Sequence, residues 1–126
     1  MSVLVDTPVW VNHFRYRNSA LVGLIGLDLA LTHPIVIGEL ACGTPPAPRL
    51  QTLADMGLLR SCNQASLGEV MEFIDREKLY GLGCSLADMT LLASTRMTPG
   101  AQLWTMDRRL GQLAGRFGVA YTLSMR

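Results

Sequence analysis

Four carboxylates stand where a folding chain has little reason to place a charge. In VLVDTPVW, residues 3–10, an apolar run suited to a buried strand meets Asp6, and in LWTMD, residues 103–107, a second apolar run meets Asp107. Glu39, in HPIVIGELACG, has Ile35, Val36, Cys42 and Gly43 as its neighbours at helical spacing, none of them basic. Asp88, in GLGCSLADMTLLAS, steps likewise onto Cys84, Leu91 and Leu92. Both are therefore expected on an apolar stripe facing a sheet, where an unpaired charge is costly unless it is protonated, hydrogen-bonded or metal-bound. Four such groups repel one another if gathered together. The chain has one lysine, Lys78, and two histidines, so the compensation expected is a hard divalent cation. Oxygen-only ligands suit Mg²⁺ or Mn²⁺. Such an ion binds a phosphate oxygen and acidifies a bound water, which is the chemistry of hydrolysis at phosphorus.

The elements that must position these groups follow from the apolar pattern. Residues 2–5, 103–106 and 119–123 are predicted as strands, and 8–17, 19–31, 48–57, 66–79 and 108–116 as helices. Thr32-His33-Pro34 opens a further helix that stops at Gly43-Thr44-Pro45-Pro46, and Ser85 opens one running to about Arg96. Apolar strands without alternation, separated by helices, predict an α/β fold: a short central parallel sheet covered by helices on both faces, rich in helix. Asp6 and Asp107 then fall at strand C-termini, the edge at which open α/β sheets bind ligands. Helices return antiparallel to the strands, so the early turns carrying Glu39 and Asp88 belong to the same edge.

Each aspartate also has an ordinary reading. Asp6 and Asp107 are both placed to cap the helix that follows, and Ser85-Leu86-Ala87-Asp88 has the form of a capping box. In SLGEVMEFIDREK, Glu69, Glu72 and Arg76 form a solvated helix face that needs no function. Thr7 and Thr105 are placed to orient the neighbouring carboxylates, or simply to sit in a turn and a strand. Arg108 and Arg109 adjoin Asp107 and are either phosphate ligands or exposed helix-start residues; Arg15, Arg17 and Arg96 are equally open. His13, His33, Trp10 and Trp104 read as structural.

The whole chain narrows the classes. At 126 residues with 49% hydrophobic and 17% charged residues, one domain spanning 1–126 is expected to bury a real core. The net charge of +1 gives no basic footprint for nucleic acid, although ten of the eleven basic residues are Arg. Cys42, Cys62 and Cys84 are odd in number and form no CxxC, so buried reduced thiols in a cytoplasmic protein are expected rather than a disulfide framework. No basic segment precedes the first apolar run and Asp6 interrupts it, so no signal peptide is expected. The weakly charged stretch between Arg17 and Glu39 has transmembrane length, but Asp28 lies near its middle and His33-Pro34 divides it, so no membrane span is expected.

At the four acidic segments the chain resembles PIN-domain ribonucleases, specifically the VapC-type toxins of toxin–antitoxin pairs. VLVDTPVWVNHFR is similar to the family's opening strand, aspartate and helix. HPIVIGELACG is similar to its glutamate-bearing helix, GLGCSLADMTLLAS to the segment carrying the next aspartate, and LWTMDRRL to the strand and aspartate that close the site. The resemblance covers essentially the whole chain. It implies a PIN-like three-layer fold and a Mg²⁺- or Mn²⁺-dependent endoribonuclease leaving a 5′-phosphate and a 3′-hydroxyl. It implies Asp6 and Asp88 as principal metal ligands, with Glu39 and Asp107 completing the cluster directly or through water. It also implies a homodimer and a VapB-type antitoxin whose C-terminal segment occludes the site. Pro8 departs from the pattern, since the family often has a small hydroxylated residue there.

A haloacid-dehalogenase-type phosphatase would need a second aspartate where this chain has Pro8, and a receiver domain would need a late lysine. The remaining alternative is a PIN-like module that binds RNA or protein without cutting it.

Overall fold

The computed structural model describes residues 1–123. Its elements run β1 (Ser2–Val5), α1 (Thr7–Tyr16), α2 (Ser19–Gly26), β2 (Ala30–Thr32), α3 (Pro34–Cys42), α4 (Arg49–Met56), β3 (Arg60–Ser61), α5 (Leu67–Arg76), α6 (Leu86–Met97), β4 (Ala101–Trp104) and α7 (Arg108–Arg116). The four strands form one parallel sheet in the order β3-β2-β1-β4. Val5 is paired with Trp104 and Leu4 with Leu31, so β1 is flanked on both sides. All four β1 residues are buried, which is why that strand reads as a continuous apolar run.

The order explains the layers. From β1 the chain steps outward to β2 and β3, then returns past β1 to β4. Right-handed crossovers put the helices of the outward steps on one face and those of the return on the other. Accordingly α3 packs on α1 and α4, whereas α6 packs on α5, α7 and β4. One hydrophobic core joins both layers through β1, with Leu21, Val36, Val70, Leu91, Leu92 and Leu110 among its fully buried side chains. Trp10 and Trp104 belong to that core.

Several elements differ from the sequence expectation. The predicted helix over 19–31 ends at Gly26, because Asp28 takes a left-handed conformation with φ 56 and the Leu29 N–H closes the end on the Leu24 carbonyl. Ala30–Thr32 then pairs with β1 as a buried strand. The two-residue β3 was not expected. The fourth strand sits two residues early, releasing Thr105 and Met106 from the sheet. The strand expected over 119–123 is reduced to a single parallel bridge, Leu103 to Ala120. Cys42 is exposed and Cys84 partly exposed, so of the three free cysteines only Cys62 has the burial expected of it; burial pushes its thiol up to about 11. No helix among the described residues is long and apolar enough to cross a membrane.

Candidate functional site

The sheet reverses its direction of growth between β1 and β4, and this switch point is where the helices leave a crevice at the strand C-termini. Asp6 follows β1 directly, and Asp107 lies three residues beyond β4. Asp6 is buried, at 4% relative exposure, while Asp107 is exposed.

Asp6 is held from two directions. As N-cap of α1 it accepts a hydrogen bond from the Thr7 N–H at 2.8 Å, and its other oxygen accepts from the Thr105 hydroxyl at 2.7 Å. Thr105 Oγ1 in turn accepts from the Asp107 N–H at 3.0 Å, so one hydroxyl ties the turns after β1 and β4 together. Burial holds the Asp6 carboxyl above the usual carboxylate range. The Thr105 and Thr7 hydrogen bonds oppose that rise, and the negative charges of Asp88 and Glu39 add to it. Asp6, Asp88 and Glu39 therefore lie within electrostatic reach of one another.

Glu39 stands in the second turn of α3, and its Oε1 accepts from the Thr7 hydroxyl at 2.6 Å. It is exposed, not turned onto the sheet as its apolar neighbours suggest; Val36 and Leu40 take the buried positions. Asp88 is half-buried in the first turn of α6. It completes a capping box, accepting from the Ser85 N–H at 3.0 Å while its own N–H donates to Ser85 Oγ at 3.1 Å. Asp107 caps α7, accepting from the Leu110 N–H at 2.8 Å. The ordinary capping reading thus holds for all three aspartates, and each still keeps acceptor capacity to spare.

The four carboxylates are not packed into one ready cage. Among the described residues no three Asp, Glu, His or Cys side chains lie close enough to hold a metal ion as they stand. Nor does a cation neutralise them: the ion pairs among the described residues are Arg60 with Asp28 and Arg76 with Glu77, both elsewhere. Beside Thr7 and Glu39 a cleft of about 420 Å³ opens, walled by Val11, Phe14, Arg15 and Pro46.

The two histidines are structural, as their sequence context suggests. His33 caps α3 by accepting from the Ile35 N–H, and its other ring nitrogen meets Ser94 Oγ at 3.1 Å. His13 accepts from the Asn18 N–H at 3.1 Å.

No family model matches the chain. Curated relatives do: it is 39% identical over 121 residues, 94% of each chain, to Ribonuclease VapC32 in two strains of Mycobacterium tuberculosis.

Proposed function

The chain belongs to the VapC-type PIN-domain ribonucleases, and we propose that it is the endoribonuclease toxin of a toxin–antitoxin pair, cutting RNA phosphodiesters with Mg²⁺ or Mn²⁺. The observation that carries this reading is the 39% identity over 121 residues, nearly the full length of both chains, to a ribonuclease of that family.

The site chemistry supports the metal. Asp6 is a buried carboxylate with other carboxylates near it and no basic partner, which favours a cation at that edge. The donors are all oxygen, which suits a small hard dication. The separation of the side chains suits one that keeps several waters rather than one enclosed by protein. In this reading Asp6 and Asp88 hold the ion, and Glu39 and Asp107 complete the site directly or through water. When bound, the ion supplies Lewis acidity and a more acidic water. Thr105 fixes the Asp6 carboxylate and Thr7 fixes Glu39, so the acceptors are aimed before substrate arrives. Glu39, exposed at the mouth of the cleft, is placed to orient the attacking water. The products are a 5′-phosphate and a 3′-hydroxyl.

The partners belong to the same proposal: a VapB-type antitoxin whose C-terminal segment covers the acidic edge along the cleft beside Glu39, and a homodimer acting in the cytoplasm. A non-catalytic RNA- or protein-binding module is the second reading, favoured by the service of three aspartates as helix caps.

Purified protein incubated with RNA separates the two. Cleavage with Mg²⁺ or Mn²⁺, absent with chelator and absent in Asp6→Asn and Asp88→Asn, is expected. A wild-type protein that binds RNA without cutting it under any of these conditions decides for the binding module.

A further inference from the structure

Gly83 and Arg109 are in direct contact across 26 residues of chain. Gly83 has φ +81, and a β-carbon built on it would collide with the Arg109 guanidinium, lying 3.0 Å from Cζ and 3.3 Å from Cδ. The positive φ favours glycine at this turn, and the Arg109 side chain rests where a β-carbon would stand. Arg109 is the second residue of α7, two beyond Asp107; Gly83 precedes Cys84 and Ser85, the cap of the helix that carries Asp88. The side chain therefore lies across the join between the two helix N-termini that supply Asp88 and Asp107.

Its guanidinium is exposed, and no ion pair among the described residues neutralises it. Arg109 lines a small cleft of about 180 Å³ with Leu82, Cys84, Gln112 and Leu113. The Cys84 thiol, raised chiefly by burial, also feels the charges of Asp88 and Asp107, opposed by Arg109, so all three charges lie near one sulfur.

An anionic strand approaching an acidic edge is repelled by it. An exposed guanidinium resting against Gly83 at the rim, with no ion pair among the described residues, supplies the missing attraction. We propose that Arg109 is a substrate-binding residue that grips a backbone phosphate of the RNA beside the cleaved bond, and that Gly83 is the cradle that presents it. The proposal rests on the ribonuclease reading above.

The test is binding of a fluorescein-labelled single-stranded RNA by anisotropy, in chelator, across a range of salt concentrations. Arg109→Met keeps the length of the stem and removes the charge, and Arg109→Lys keeps the charge without the fork. Arg109→Met is expected to weaken binding about tenfold, and to flatten the plot of log affinity against log salt by about 0.7, one single-strand phosphate contact. Arg109→Lys is expected to recover the slope. With metal present, KM rises in Arg109→Met while kcat stays within about twofold. Wild-type affinity and slope in Arg109→Met would reduce the residue to a loop clamp and overturn the proposal. Arg109→Gln is read in the same assay, so that misfolding of the first variant leaves the question decidable. If wild type cleaves and Arg109→Met matches it, only this inference falls; if wild type neither binds nor cleaves RNA, the ribonuclease reading falls with it.

Discussion

The Thr105 hydroxyl donates to Asp6 at 2.7 Å although 99 residues separate the two in the chain. The bond forms because β1 and β4 are parallel neighbours in register, Val5 against Trp104, so the residues leaving both strands emerge side by side. The same oxygen accepts the Asp107 N–H, so one threonine sets the relative position of two acidic turns.

Replacing that hydroxyl tests whether Asp6 must be ionised for activity. The Thr105 bond pulls the Asp6 carboxyl down against the effect of burial, so Thr105→Val lets it rise further. The acid limb of the cleavage profile is expected to move to higher pH, because a hydrogen bond to the charged form is lost. A pH–rate profile of kcat/KM measures this, with Thr105→Ser as the variant that restores the limb.

Asp6 itself should be a stability liability. Its carboxyl is held above the ordinary value of 3.8 in the folded state, so between the unfolded and folded values the native protein binds more protons than the unfolded chain. Stability is therefore lost as pH rises through that interval and stays lost above it. Asp6→Asn relieves the penalty, and in metal-free buffer its Tm at pH 7 is expected to exceed that of wild type by a few degrees, about 4 °C per kcal/mol. The gain shrinks toward pH 4. Thermal melts of both proteins with chelator at the two pH values check the sign.

His33 gives the opposite dependence. Burial lowers its pKa from 6.5, so its contribution to stability is complete above that value and declines as pH falls through the folded-state value. Protonation would also turn the acceptor that caps the Ile35 N–H into a donor. His33→Ala is expected to cost about 1–3 kcal/mol at pH 7.5 and less at pH 5, and His33→Asn, which keeps a capping acceptor, to recover part of it. Urea melts at both pH values measure the difference.

What could be read beforehand divides along physical lines. Asp6, Asp88 and Asp107 were legible as helix starts because a cap is a local device written within four residues, and each cap is formed. The α/β class was legible because β1 is apolar on both faces. Strand β2 was not: Leu29, Ala30 and Leu31 continue the apolar spacing of α2, and only the left-handed Asp28 and the pairing with β1 separate them. Glu39 shows the limit of periodicity, since neighbours at helical spacing place a residue on a stripe without fixing how wide its buried part is. Thr7 and Thr105 were recognisable as residues able to orient a carboxylate, but Thr105 reaches Asp6 rather than the carboxylate next to it, a partnership set by sheet order alone. The cradle of Arg109 on Gly83 left only a turn glycine as its trace in the sequence.

In the proposed site the carboxyl groups after β1, in α3, at the start of α6 and before α7 share a divalent cation. Anomalous scattering from a crystal grown with Mn²⁺ locates that ion directly. A peak bounded by Asp6 and Asp88, with Glu39 and Asp107 reaching it directly or through water, is the predicted result. A well-ordered map with no peak at this edge, or with Mn²⁺ bound only elsewhere, would contradict it.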